Sequence, residues 1–237
     1  MRETGSRFSQ NSALNGGIAY VTGHGTYLHF QSSSEIRDIN AYYGGMFYVE
    51  KGATVEVTDT AVKYNEAYEG LFAYVNDRSR AIVHDRIEIS DNRVHKRGVF
   101  IITEGSQLYL DDATIQRNRI GLDSAIIHAE NNRLEYHLED ADQWQDVYVM
   151  SWVENTYITK NEIYEEGRML SIIESNFTIT NSKFSINDAT TDNYGIYVSY
   201  SELVIDTCTF IGPTADAIHY DLNNEAFKDV SGAFLQV

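Results

Sequence analysis

The residues of this chain that could do chemistry concentrate in one acidic stretch near both tryptophans. Positions 139–146 read Glu-Asp-Ala-Asp-Gln-Trp-Gln-Asp, and the second tryptophan follows at position 152. Carboxylates are preferred ligands of calcium, and an aromatic ring beside them can stack on a sugar. The candidate metal ligands are Asp140, Asp142 and Asp146, the candidate ligand-binding residues are Trp144 and Trp152, and Ca²⁺ is the one cofactor to consider.

The spacing of these acids differs from an EF-hand loop, because Trp144 occupies the third acid position and the required glycine is absent. The competing interpretation is an acidic surface loop with Trp144 packed over the edge of the fold. A titration with calcium or glycans, followed by tryptophan fluorescence, separates the two.

The elements that must position these residues are set by a repeat, and its clearest mark is a column of asparagines. The column recurs at nearly regular steps as far as Asn118, and then lapses before its last member. The predicted members are Asn11, Asn40, Asn65, Asn92, Asn118 and Asn187. An amide both donates and accepts hydrogen bonds, so stacked asparagines can bond to one another and to turn backbone. The pattern predicts a structural ladder and no catalytic centre.

Apolar residues alternate ahead of each asparagine. Ahead of Asn65 they are Val55, Val57 and Val62, with the small Thr60 between. A period of two is typical of strands, and strands with no helical stretch between them cannot form βαβ units. These positions are therefore predicted to face inward and to stack from one repeat to the next.

A second marker is a short apolar strand that recurs at steps of similar length. Its copies begin at Ile18, Met46, Phe72, Phe100, Ile126, Val147, Leu170, Ile196 and Ile218. One face of these strands stays apolar longest, and it carries Tyr20, Tyr48, Tyr74 and Tyr220. We expect this tyrosine column to lie in the core; the alternative is an outer stripe on which carbohydrate stacks.

Together these patterns predict an all-β fold, a right-handed parallel β-helix (a single-stranded solenoid) of about nine coils of 21–28 residues. Residues 1–237 form one domain, with an irregular acidic segment at 137–155. A β-sandwich would explain the strands but not the asparagines in register. The single proline agrees with a chain of strands and short turns. The absence of capping helices predicts a segment of a longer protein, or one that stacks end to end on a partner.

Composition excludes several classes of protein. The net charge is −17, which disfavours nucleic-acid and anionic-membrane partners, and no apolar run approaches the ~18 residues of a membrane span. One cysteine excludes a disulfide scaffold. We expect no nucleic-acid partner and no direct membrane insertion.

The repeat resembles that of chlamydial polymorphic outer membrane proteins and their relatives. The pattern FxxN followed by Gly-Gly and an apolar strand stands here as Phe8 to Asn11 with Gly16-Gly17-Ile18, and parts of it return at Gly44-Gly45-Met46 and at Phe184 to Asn187. The resemblance implies a pectin-lyase-like β-helix and favours structural or adhesive work. It supplies no catalytic residue.

The leading hypothesis is therefore a non-enzymatic segment of a large extracellular or cell-surface repeat protein, which binds partners through flat β-faces or stacked ends. The partners would be proteins, further coils of the same protein, or carbohydrate. One alternative is a polysaccharide lyase or hydrolase, for which Asp111-Asp112 is the only tight aspartate pair in a regular coil. Another is an intracellular scaffold or lattice protein of a protist, for example a ciliary one.

Overall fold

The computed structural model describes residues 8–31, 35–138, 143–164, 167–185, 187–189, 195–211, 218–220 and 234–236. For residues 122, 133–138, 143–148, 188–189, 218–220 and 234–236 only the backbone is described. These residues form three parallel β-sheets that wind as a β-solenoid, so the all-β solenoid prediction is confirmed.

The chain visits the three sheets in a fixed order, A then B then C, once per coil. Sheet A contains Phe8–Ser9, Glu35–Arg37, Ala61–Lys63, Ile87–Ser90, Ala113–Gln116, Tyr157–Thr159, Lys183–Ser185, Thr209–Ile211 and Phe234–Gln236. Sheet C contains Tyr27–Gln31, Thr54–Thr58, Arg80–His84, Gln107–Asp111, Met150–Glu154, Asn176–Thr180 and Leu203–Asp206.

Sheet B is bent, and in the first three coils, as well as the sixth and seventh, the bend divides it into two strands per coil. Its strands are Ser12–Asn15, Ala19–Thr22, Asn40–Tyr43, Phe47–Glu50, Glu66–Glu69, Ala73–Val75, Arg93–Thr103, Arg119–Glu130, Glu162–Ile163, Arg168–Ile173, Asp188–Ala189, Ile196–Ser199 and Ile218–Tyr220. Glycines make the bend: a Cβ on Gly45 would stand 2.2 Å from the Leu71 carbonyl oxygen in the next coil. Backbone that close leaves no room for a side chain.

The core consists of stacked apolar columns, as the alternating pattern predicts. In sheet A the inward column includes Ile89, Ile115 and Ile158, all fully buried. In sheet C, Val55 and Val57 are equally buried. Each inward residue lies directly over its equivalent in the coil below, so removal of apolar surface from water stabilises the stack along its whole length.

The corners between the sheets explain why proline is so scarce. At each corner, a residue with positive φ directly precedes the residue whose side chain stacks inside that corner. Proline cannot adopt this conformation, because its φ is held near −65°. At the A–B corner these residues are Gln10, Asp38, Tyr64, Asp91, Arg117 and Lys160; at the C–A corner they are Asp59, Arg86, Asp112, Asn155, Asn181 and Thr207. Turns as well as strands therefore exclude proline.

The predicted count of about nine coils is approximate. Among the described residues sheet A has nine strands, and sheet C has seven, which make about six turns from its first strand to its last. The apolar segment at Val147 is not a coil strand of the solenoid: it falls on a separate antiparallel hairpin of Arg133–Leu138 with Gln143–Tyr148 and on the start of the next sheet C strand. Because Ile127 pairs directly with Leu170, one coil spans the whole interval.

The tyrosine column also departs from the prediction, because it lies on the outer face of sheet B. Tyr20 is 48% exposed, whereas Phe47 and Val49, on the opposite face, are fully buried. Strict alternation breaks at the glycine bend, where Met46 and Phe47 are both buried in succession. The side chain of Tyr220 lies outside the described residues.

No helix in the described part of the chain is long and apolar enough to cross a membrane.

Candidate functional site

The asparagine column forms a continuous hydrogen-bonded ladder inside the A–B corner. Asn92 shows the pattern: its Nδ2 donates to the Val62 carbonyl oxygen at 2.9 Å and to Asn118 Oδ1 at 2.9 Å. Its Oδ1 accepts from the backbone N–H of Asn65 at 2.9 Å. The ladder joins Asn65, Asn92, Asn118, Asn161 and Asn187, all buried. Each amide thereby satisfies buried backbone groups of the neighbouring coil.

Two members of the predicted column need correction. Asn40 pairs in register with Glu66, which lies one position after the ladder residue Asn65, and Asn40 is exposed. The position in the column belongs to Ile39, whose N–H donates to Asn65 Oδ1 at 3.0 Å. Ile39 interrupts the ladder, so Asn11, in register below it, is separated from the bonded series and is exposed. Because the steps of the column vary in length, the sequence alone did not reveal the difference of one position.

Asn161 is the member that the sequence pattern missed. It lies 43 residues after Asn118, whereas the other steps of the ladder are 26 or 27 residues. The interval contains the hairpin of Arg133–Leu138 with Gln143–Tyr148, which accounts for the longer step. A search at a constant period therefore passes over Asn161.

A second ladder, also unforeseen, lies in the B–C corner. Ser79, Ser106, Asn132, Ser175 and Ser201 repeat at 27, 26, 43 and 26 residues and are buried. The side-chain oxygen of each accepts a hydrogen bond from the coil below, as in Ser79 N–H to Ser106 Oγ at 3.1 Å. The signal was available in the sequence, since the steps equal those of the asparagine ladder.

The outer face of sheet B carries the most distinctive group of side chains, a run of aromatic rings that we call the aromatic face. One column of it is Tyr20, Tyr48 and Tyr74, with centroids 5.4 and 5.1 Å apart. Polar neighbours hold the hydroxyls: Tyr20 donates to Glu50, and Asn76 Nδ2 donates to the Tyr48 oxygen at 3.4 Å. The rings are therefore fixed in place before any ligand arrives.

The titration of these groups reflects that environment. The hydrogen bond to Glu50 raises the pKa of Tyr20, and the same bond, with Lys51, lowers the pKa of Glu50. Burial raises the pKa of Tyr48 to about 12 and also raises the pKa of Tyr74. All three tyrosines thus remain neutral hydroxyls at physiological pH, able to donate or accept hydrogen bonds.

A second column of the aromatic face lies on the other side of the bend. Tyr42 stacks on Tyr68 with centroids 4.4 Å apart, and Tyr68 stacks on His95 at 6.4 Å. Tyr43 joins the two columns, because its ring lies 4.6 Å from Tyr42 and 6.0 Å from Tyr74. The rings form one surface across the first four coils.

A groove runs beside this second column. Asn40 and Glu66 line one wall, the rings of Tyr42, Tyr68 and His95 line the other, and strand residues Ala13, Ala41 and Ala67 lie at its base. Its volume is about 300 Å³. Ligand sites start near this size, at roughly 300 Å³. Glu66 and His95 approach to 2.5 Å across it.

The sequence signal for this groove was present but displaced. Its aromatic residues stand three positions after the ladder column: Tyr42 after Ile39, Tyr68 after Asn65 and His95 after Asn92. With Asn40 assigned to the column in place of Ile39, that third position falls on Tyr43. The displaced alignment keeps an aromatic residue at this position but names Tyr43 in place of Tyr42, which stacks on Tyr68.

Most candidates from the acidic stretch lie beyond what the structure describes. Asp140 and Asp142 are outside the described residues, and Trp144 and Asp146 lie on the hairpin, where only the backbone is described. Trp152 is on the outer face of sheet C, 37% exposed and paired in register with Tyr109. Among the described side chains no cluster of three or more His, Cys, Asp or Glu could hold a metal ion.

One arrangement on the outer face of sheet B contains the residue types of a serine hydrolase. Ser171 pairs in register with His128, and His128 Nε2 lies 3.3 Å from Glu130 Oε2. A serine nucleophile needs an accessible hydroxyl bonded to its base. The Ser171 Oγ is buried and has no hydrogen-bond partner, so these side chains do not form a nucleophile and base pair.

Neither family models, curated proteins nor solved structures yield a match to this chain.

Proposed function

We propose that the chain is a non-enzymatic, adhesive β-solenoid segment of a surface or extracellular repeat protein, and that it binds its partner through the aromatic face. The observation that carries this proposal is the continuous run of rings joined by Tyr43. Large exposed aromatic surfaces are characteristic of recognition sites, because a fixed ring gives contact area at little entropic cost.

The exposure of this surface supports the same conclusion. Tyr20, Tyr42 and Tyr68 are 48%, 42% and 37% exposed, whereas a neighbouring residue on each of these strands is buried. The regular solenoid supplies a rigid support, since each outward position is held by the pairing of its neighbours with the coils on either side.

The proposal is tested by adhesion of protein-coated beads to intact cell surfaces. We expect the double variant Tyr42→Ser/Tyr68→Ser to reduce bead retention at least tenfold. A matched control is Tyr157→Ser, which changes a tyrosine that is 54% exposed on sheet A. Equal retention of the wild type and the double variant, with unchanged circular dichroism, would refute binding through the aromatic face.

A second candidate function, polysaccharide cleavage, is favoured by one observation on sheet C. The Tyr109 hydroxyl lies 3.5 Å from Asp111 Oδ2 and 3.3 Å from Glu154 Oε2, beside Trp152. Paired carboxylates are the groups that glycosidases use as acid and base. Release of reducing ends from a polysaccharide by the wild type, but not by Glu154→Gln, would establish this function in place of the adhesive one.

A further inference from the structure

The groove of the aromatic face has a repeating chemistry that specifies its ligand. In successive coils one wall presents a planar polar side chain, Asn40 and then Glu66, and the other wall presents a ring, Tyr42 and then Tyr68. A ligand that lies along the groove therefore meets a polar side chain and a ring in each of these two coils, and the same two positions of the next coil are Arg93 and His95. Such a site suits a polymer whose own units repeat at a similar distance.

The two walls match the two kinds of surface on a sugar ring. A pyranose offers C–H groups on its faces, which pack against the apolar ring edges, because Tyr42 and Tyr68 stack on each other. Its hydroxyls bond to planar amides and carboxylates. The ring-to-ring distance of 4.4 Å between Tyr42 and Tyr68 is close to the strand spacing of about 4.8 Å. Consecutive sugars of an extended chain advance by a comparable length.

The residues that line the groove do not attract a polyanionic chain. Glu66 is engaged by His95 at 2.5 Å, Glu50 by Lys51 at 3.0 Å and Arg97 by Glu130 at 3.3 Å. Among the described lining residues there is no lysine or arginine to attract acidic sugars. The net charge of −17 repels them further.

We propose that the groove between Asn40–Glu66 and Tyr42–Tyr68–His95 binds an extended, uncharged glycan that lies along the solenoid axis. This inference rests on the proposed adhesive function and names its ligand class. The edges of the stacked rings provide apolar contact and the tyrosine hydroxyls provide hydrogen bonds, and Asn40 and Glu66 bond to the sugar hydroxyls. His95 closes the groove at the fourth coil through its contact with Glu66.

The experiment is affinity electrophoresis of the whole chain in gels that contain soluble neutral polysaccharides: hydroxyethyl cellulose, xyloglucan, galactomannan or dextran. We expect retardation in at least one neutral gel and none in gels with polygalacturonate or alginate. Tyr68→Ala should weaken the apparent affinity at least tenfold. Tyr68→Phe keeps the ring and should stay within about threefold of the wild type, as should Tyr157→Ala on sheet A.

Failure of the ligand class can be told apart from failure of the adhesive function. No retardation in any neutral gel, or retardation only by the polyanions, overturns the glycan inference. If bead adhesion still depends on Tyr42 and Tyr68 in that case, the aromatic face binds a protein and the proposed function stands. Retardation that survives Tyr68→Ala overturns the assignment of the glycan to this groove.

Discussion

The A–B and B–C corners both join neighbouring coils through a column of buried polar side chains, but the two columns use different residue types. At both corners the buried polar residue directly follows a residue with positive φ, and both columns repeat with the same steps. At the A–B corner each amide bonds to a neighbouring amide and to backbone of the coil below. At the B–C corner a serine hydroxyl accepts one bond from the coil below and donates locally, as from Ser201 to the Ser199 carbonyl at 2.7 Å.

The difference lies in the number of bonds that each side chain makes between coils. The serines of the B–C corner make fewer such bonds than the asparagines of the A–B corner, and Asn132 is the one amide in the B–C ladder. A buried polar group left without a partner costs roughly 1–3 kcal/mol, so the number of groups that depend on one side chain sets its contribution. Substitutions at matched coils can measure that contrast.

The largest effect is expected for Asn92→Ala. The change removes the acceptor for the Asn65 N–H and the donor for the Val62 carbonyl, both of which are buried. We expect the free energy of unfolding in urea to fall by about 3 kcal/mol, because at least two buried groups lose their partner. A loss below about 1 kcal/mol would contradict the role given to the ladder.

Ser106→Ala should cost less. The variant deprives only the Ser79 N–H of its acceptor, because the Ser106 N–H still donates to Asn132 Oδ1 at 3.0 Å. We expect a loss of about 1–2 kcal/mol in the same urea titration. If Ser106→Ala and Asn92→Ala prove equal, the two corners are energetically equivalent and the comparison fails.

Ile39→Asn should have a small effect of either sign. The variant continues the amide ladder one coil further, toward Asn11, but replaces a fully packed apolar side chain that is 1% exposed. The gain of hydrogen bonds and the loss of apolar burial oppose each other, so we expect a change within about 1 kcal/mol. Thermal unfolding measures it, and a larger loss shows that the A–B corner of the second coil requires an apolar residue.

The smallest effect concerns the ion pair that flanks the asparagine ladder. Arg117 bonds to Asp91 at 2.7 and 2.8 Å and lowers the pKa of that carboxyl. A lowered pKa in the folded state gives stability above the unfolded value, which is lost as pH falls through the folded one. Because Arg117 is 45% exposed, we expect a contribution below about 1 kcal/mol.

The matched variant is Arg117→Gln, and the measurement is the unfolding midpoint between pH 6 and pH 2. The wild type should lose slightly more stability than the variant as the pH falls below about 3.9, where unfolded aspartate titrates, toward the lowered pKa of Asp91. Identical pH profiles would show that solvent screens the pair completely.

Much of the solenoid can be predicted from the sequence, because a repeating environment forces residues of one type to recur. Val57 and Ile115 stand at regular offsets from the asparagines and are buried as expected. The outward tyrosines could not be placed by alternation, since the glycine bend puts Met46 and Phe47 inward in succession. Identical periodicity on both faces of a strand does not indicate which face is the core.

The groove was harder to foresee for a different reason. Its walls come from residues of separate coils, Tyr42 and Tyr68, whose stacking depends on the register between strands of neighbouring coils. An error of one position at Asn40 turns the whole strand over. The pairing of strands in the structure gives this register, which cannot be read from the sequence because the step lengths vary.

The ends of the hairpin at residues 133–148 meet, because the Val149 N–H donates to the Asn132 carbonyl oxygen at 2.8 Å. The chain thus leaves the solenoid and returns to it at almost the same point, and the coils above and below stack as though nothing had been inserted. The insertion at the B–C corner of this coil therefore lengthens the chain without changing the stacking of the coils. The insertion also lies apart from the groove, whose described lining residues belong to the first four coils.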